Sequence, residues 1–229
     1  MGVGRGLSVK GDPRRLGHLA LMVGFLNLAA MVATPYFPSP ILFPMVFLWL
    51  IPFLMALRVE GNTPASLGLV FDRERTPNYL VGILTGFALL TVLLGLEHYA
   101  RIHIAYEAPG SVLAFPGGLA SQFLVQLMGI GLPEEFFFRG YLLTRFKGWL
   151  GDRRGLLLNS LLFGLGHLVS RLTQHGLGYA PSALFIGLQT FLGGLILGYL
   201  YLRSRTVLVP AGSHILLNLF APSITAAFL

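Results

Sequence analysis

Three short runs hold the residues whose chemistry matters: Pro133-Glu134-Glu135-Phe136-Phe137-Phe138-Arg139-Gly140, Phe163-Gly164-Leu165-Gly166-His167 and His214-Ile215-Leu216-Leu217-Asn218. Each lies in an otherwise apolar stretch. Ionisable groups at the centre of a membrane helix cost about 2.5–3.5 kcal/mol each on insertion scales, so such residues usually mark function. Carboxylates and imidazoles together can activate water, relay protons or hold a metal ion. Spacing sorts them by face. Glu135 and Arg139 stand four apart, the arrangement of an intrahelical ion pair. Glu134 is rotated by about 100° from Glu135, so it is left to face a cavity. His214 and Asn218 are also four apart and should project together, and Asn159, Phe163 and His167 form a third stripe.

The elements that carry these runs are read from where charge is missing. The chain has 229 residues, 55% apolar and only 11% charged, with no cysteine and a formal net charge of +7. That excludes an ordinary soluble domain, which carries about 25% charged residues. It also excludes a disulfide scaffold and thiol chemistry. No dense Lys/Arg run with interleaved aromatics is present, so nucleic acid is not expected as a partner. Stretches without Lys, Arg, Asp or Glu cover 16–57, 76–96, 108–133, 155–170, 172–202 and 206–229. Pro35, Pro38 and Pro40 divide the first into 16–34 and 40–57. At about 20 residues per span this predicts an all-α polytopic transmembrane bundle of seven spans, or eight if a re-entrant piece lies in 58–78 or 100–118. The whole chain, 1–229, reads as a single integral membrane domain.

Cytoplasmic loops collect Lys and Arg. Arg5, Lys10, Arg14, Arg15, Arg58, Arg73, Arg75, Arg145, Lys147, Arg153, Arg154, Arg203 and Arg205 all fall at the N-terminus or in alternate loops. Arg101 and Arg171 occupy the opposite loops. This predicts a cytoplasmic N-terminus, and the long first apolar stretch argues against a cleaved signal peptide. With a rise of about 1.5 Å per residue, Glu134, His167 and His214 fall about 13, 18 and 10 Å from the cytoplasmic ends of their helices. The three groups therefore fall at overlapping depths, which allows one shared site in the cytoplasmic half. Gly129, Gly131 and Pro133 predict a helix break before the glutamates. A broken backbone is tolerated where it lines a water-filled cavity.

At these residues the sequence resembles the CAAX protease and bacteriocin-processing family of glutamic-type intramembrane proteases, which includes the type II CAAX prenyl endopeptidases. Its Glu-Glu-x-x-x-Arg motif is matched by Glu134, Glu135 and Arg139, its Phe-x-x-x-His motif by Phe163 and His167, and its His-x-x-x-Asn motif by His214 and Asn218. The similarity covers about 115–220. It implies a peptide-bond hydrolase in which Glu134 takes a proton from water, His167 positions that water, and His214 and Asn218 stabilise the oxyanion. Glu135, Arg139 and Phe163 would support the site. The implied substrate is a membrane-associated protein or peptide: a CAAX-type tail, a leader or a sorting tail. No cofactor is implied, and the expected setting is a prokaryotic cell membrane.

Other assignments of the same residues are weighed beside this. Glu134, His167 and His214 could ligate zinc, although no His-Glu-x-x-His spacing accompanies them. A proton- or ion-coupled transporter could use the same three groups as a relay. A non-catalytic membrane scaffold or immunity protein is a third reading. Phe136–Phe138 are read as packing or lipid contact, and His98, His103 and His175 as solvated loop residues. Gly194 and Gly198 are read as a close helix contact within the chain.

Overall fold

The computed structural model describes residues 9–33, 43–72, 76–104 and 118–226. Among them the fold is a bundle of helices without strands. Helix α1 (Pro13–Val32) starts where the Asp12 carboxylate accepts the Arg14 amide at 3.1 Å, with Pro13 in the first turn. An N-terminal proline suits this position because its missing amide would be unsatisfied anyway. Helix α2 (44–59) is widely wound, of π type, on both sides of a short regular turn that contains Pro52. Helix α3 (Thr76–Ile104) follows, then α4 (Gly118–Met128). The next two are α5 (131–150) and α6 (152–175), with φ +81° at Gly151 between them. Helices α7 (Ala180–Ser204) and α8 (Leu208–Ala226) complete the bundle.

Each of the seven expected apolar segments therefore contains a helix. Five helical stretches are long and apolar enough to cross a membrane, and one of them, Gly118–His175, includes the reversal at Gly151. Met45–Val59 is a shorter apolar helix. Large apolar side chains such as Phe25, Val81, Val92, Leu96 and Leu184 point outward. A contiguous apolar exterior of this kind suits lipid, and the protein is an integral membrane protein. The re-entrant candidate 100–118 falls partly on residues outside those described, as do Arg5, Arg73, Arg75 and the Pro35–Pro40 division.

Small residues set the helix seams. Gly164 of α6 and Gly187 of α7 are backbone to backbone, and Gly194 and Gly198 of α7 lie on Ser160 and Leu156 of α6. The Gly194/Gly198 contact is thus made within the chain. Between apolar helices in lipid, dispersion at such close approaches substitutes for the missing hydrophobic drive. At the hairpin tip, a side chain on Gly155 would meet the backbone of Phe146 and Lys147. The positive φ of Gly151, strained for other residues, turns α5 straight back along α6.

Several sequence expectations are corrected here. The third helix runs past Glu97 to Ile104, so His98 is not in a solvated loop but on α3 and 7% exposed. His103 also lies on α3, while His175 ends α6 and is exposed. Arg171 is in α6 rather than in a loop. Arg145, counted as a loop charge, is inside α5 and 1% exposed. The charge-free search stopped at these residues because it could not see their partners.

Arg145 is matched by Glu60, just after α2. Its Nε and Nη2 donate to Glu60 Oε2 at 3.2 and 2.7 Å, and Nη1 donates to the Ser66 carbonyl at 3.0 Å. Tyr141 donates its hydroxyl to Glu60 Oε1 at 3.0 Å and places its ring 4.5 Å from the Arg145 guanidinium. Asn62 Nδ2 also donates to Glu60 Oε2, while Asn62 Oδ1 accepts the Lys10 amide at 2.7 Å. The 60–68 segment is thereby held inside the bundle end, with Leu67 fully buried and its carbonyl against Gly140. Removing one member of a buried ion pair typically costs about 3–5 kcal/mol, whereas replacing both is often near neutral. Arg145→Met should therefore lower the thermal midpoint in detergent strongly, and Glu60→Gln with Arg145→Met should recover much of it. An unchanged midpoint for Arg145→Met would show that the pair does not hold this segment.

Candidate active site

The reversal at Gly151 sets the relative level of Glu134 and His167. They stand nearly the same number of residues on either side of it, so antiparallel α5 and α6 bring them to one level. Within the hairpin, Asn159 Nδ2 donates to the Phe138 carbonyl at 2.7 Å. That carbonyl lies in the wide-wound stretch Phe136–Leu143, where regular α-helical bonding is interrupted. Thr144 Oγ1 similarly donates to the Gly140 carbonyl at 2.8 Å. Such π-type insertions are often found at functional sites.

The helix break expected before the glutamates is present. α4 ends at Met128, Ile130 takes φ −129° and ψ −80°, and α5 restarts at Gly131 with Glu134 in its first turn. Trp49 of α2 donates its indole N–H to the Met128 carbonyl at 3.1 Å and packs its ring 4.7 Å from that of Phe136. A carbonyl left over at a helix end needs such a donor. On the other side, Gly131 approaches Ile215 of α8 too closely for a side chain.

The two adjacent glutamates have different surroundings. Glu135 is fully buried. Its Oε1 accepts from Arg139 Nη1 at 3.0 Å and from His214 Nδ1 at 2.9 Å. The expected i,i+4 ion pair is formed, and His214 joins it. Arg139 also donates Nη2 to the Gly194 carbonyl at 3.4 Å and lies 4.4 Å from the Phe163 ring centroid. Glu134 takes no hydrogen bond from Arg139 or His214, and its Oε2, like Oε2 of Glu135, is buried with no hydrogen-bond partner among the described residues. The Glu134 charge acts on both His167 and His214.

Phe163 lies where these groups converge. Its ring is 4.7 Å from that of His167, 6.3 Å from His214 and 4.9 Å from Phe138, edge-on in each case. Phe136, Phe137 and Phe138 are all buried, so they pack inside the bundle rather than against lipid. His167 engages the Phe163 carbonyl through Nδ1 at 3.0 Å, which makes Nδ1 the protonated nitrogen and leaves Nε2 with its lone pair in the neutral ring. Asn218 does not share a partner with His214: its Nδ2 donates to Gln126 Oε1 of α4 at 2.8 Å.

Sequence reasoning passed over Gln126, Trp49 and Glu60, and took Arg145 for a loop charge. Gln126 carries no charge and sits in the charge-free 108–133 stretch, so only its polarity in an apolar run could have drawn attention. Among the described residues, no group of three or more His, Cys, Asp and Glu is placed to hold a metal ion. The Glu134, His167 and His214 zinc alternative gains nothing from this arrangement.

Residues 115–220 match the Rce1-like family, described as type II CAAX prenyl endopeptidase Rce1-like. The matched stretch holds all three motifs, and the resemblance to the CAAX protease family holds over these residues. The matched family is one of membrane proteases acting on membrane-associated protein or peptide substrates. No curated protein and no solved structure matches the chain.

The contrast between the glutamates is measurable without a substrate. Glu135→Gln takes the charge from a buried pair and should destabilise the protein by about 3–5 kcal/mol. Glu134→Gln should leave the unfolding midpoint in detergent near that of the wild type. Equal loss from both substitutions would contradict the separate environments.

Proposed function

We propose that the chain is a glutamic-type intramembrane endopeptidase that hydrolyses a peptide bond near the end of a membrane-associated protein or peptide. The observation that carries this reading is the Glu134 carboxylate, which has a buried unpartnered oxygen and, unlike Glu135, is not bonded to Arg139 and His214, while His167 commits Nδ1 to the Phe163 carbonyl. A carboxylate spared from structural bonding is suited to general-base work. In the proposed step, a water donates one hydrogen bond to Glu134 and the other to His167 Nε2. Glu134 takes the proton as the water oxygen attacks the scissile carbonyl.

The negative charge then forming on the carbonyl oxygen falls to His214 and Asn218. Because Nδ1–H of His214 is committed to Glu135, the imidazole reaches an oxyanion only through a protonated Nε2. Glu135 favours such an imidazolium electrostatically and fixes its ring. Asn218 retains a second Nδ2 hydrogen beyond the one given to Gln126. Preorganised donors of this kind are worth most where charge develops in the transition state. Collapse of the tetrahedral intermediate, with the proton passed from Glu134 to the leaving amine, completes the hydrolysis.

The family's name suggests a first substrate class, a prenylated CAAX-type tail; leaders and sorting tails are the others to test. The cytoplasmic N-terminus and a site in the cytoplasmic half of a prokaryotic membrane belong to the same proposal, on the strength of the Lys/Arg alternation.

Membranes containing the wild type or Glu134→Gln, incubated with tail and leader peptides and analysed by mass spectrometry, test the proposal. A product is expected with the wild type only. Glu134→Gln and His167→Ala should abolish cleavage, and His214→Ala or Asn218→Ala should lower turnover by about 10²–10³ with little change in KM. No product across the panel from a folded protein would favour proton-coupled transport or a scaffold. Loss of activity on chelation, with full recovery on adding zinc, would favour the metal reading.

A further inference from the structure

Gln126 is a buried amide on the last turn of α4, 7% exposed, in a segment with no charge. It touches none of the three motifs in sequence. In space its Oε1 accepts from Asn218 Nδ2 at 2.8 Å, across ninety-two residues of chain. Gly131 lies beside it, and a side chain there would come within 3.4 Å of both the Gln126 carbonyl and Oε1. Gln126 thus occupies the notch of the helix break, eight residues before Glu134, bonded to Asn218 of α8.

The chemistry of a carboxamide makes this contact consequential. The terminal torsion of asparagine is broad and roughly two-fold, so an unrestrained Asn218 presents oxygen or nitrogen almost equally. A fixed acceptor on one side removes that freedom. Gln126 Oε1 draws Nδ2 toward the break and turns Oδ1 away. The second Nδ2 hydrogen, in the same plane, remains as a donor in a fixed orientation relative to Gln126.

We propose that Gln126 is a positioning residue that sets the orientation of the Asn218 amide so that nitrogen, not oxygen, faces the reacting carbonyl. This rests on the assignment of Asn218 as an oxyanion donor given above. Without Gln126 the amide turns over part of the time, and an oxygen facing a developing oxyanion opposes the reaction.

Two measurements on the full chain in detergent–lipid micelles separate this inference from the reading beneath it. The first needs no substrate. The side-chain NH₂ resonances of Asn218, assigned by their disappearance in Asn218→Ala, should be well separated and slow to exchange with solvent. In Gln126→Leu they should move together and exchange rapidly, and Gln126→Met serves if the leucine variant does not fold. Unchanged resonances overturn the inference.

The second is a kinetic double-mutant cycle on a farnesylated peptide ending in a CAAX sequence, or on whichever peptide the membrane screen cleaves. Gln126→Leu should lower kcat about tenfold, the scale of one lost hydrogen bond, with KM unchanged. In the Asn218→Ala background it should have no further effect. Fully additive losses overturn the inference, since Gln126 would then act elsewhere. A wild-type rate for Asn218→Ala, or no cleavage by the wild type at all, overturns the underlying assignment, while the resonance result still decides whether Gln126 orients the amide.

Discussion

A fully buried carboxylate in an apolar bundle demands compensation, and the way Glu135 is compensated organises the centre of this protein. One oxygen takes hydrogen bonds from Arg139 on its own helix and His214 on α8. The guanidinium in turn reaches the Gly194 carbonyl of α7 and the face of Phe163 on α6. Four helices are tied to a single charge pair. Unpaired, either charge would cost several kcal/mol; together they leave little freedom in how the helices rotate. Cation–π contact with Phe163 adds to this without another polar group.

The fixed pair leaves the neighbouring carboxylate, Glu134, available. One helical step separates them: Glu135 is engaged by Arg139 and His214 through one oxygen, whereas Glu134 takes no hydrogen bond from either. The separation depends on where α5 begins and how it is wound. Trp49 satisfies the last carbonyl before the break, and the wide winding beyond it exposes carbonyls to Asn159 and Thr144. At the far end of the same helix, the Glu60–Arg145 network fixes its other terminus. The segment with the glutamates is therefore held at both ends by residues that are not part of the motifs.

Much of this was legible in the sequence. The apolar segments, the break at Gly129–Pro133 and the Glu135–Arg139 pair follow from composition and helical spacing, which are local properties. The three polar runs were themselves legible, because a polar residue in an apolar stretch is read residue by residue. What stayed hidden were partnerships between residues distant in the chain. Arg145 looked like a loop charge until Glu60, eighty-five residues earlier, was seen to neutralise it. His98 ended up buried because α3 continues past the charge at Glu97. Gln126 and Asn218 form an amide pair that no search for charge would find. His214 and Asn218 stand four apart on α8, yet their partners differ, Glu135 on α5 and Gln126 on α4.

The one-glycine turn between α5 and α6 has a bearing on how the polypeptide enters the bilayer. Two apolar helices joined so tightly partition as a hairpin, not as successive independent spans, because neither can cross while the turn stays outside. Glu135 and Arg139 neutralise each other within the first of these helices as soon as it is wound. Asn159 of the second helix covers the Phe138 carbonyl that the wide winding leaves free. The hairpin thus meets lipid with the Glu135–Arg139 pair already formed, before α8 has been synthesised. His214 then arrives at a carboxylate already paired with a guanidinium, and the order of the chain spares Glu135 from meeting hydrocarbon as a bare charge.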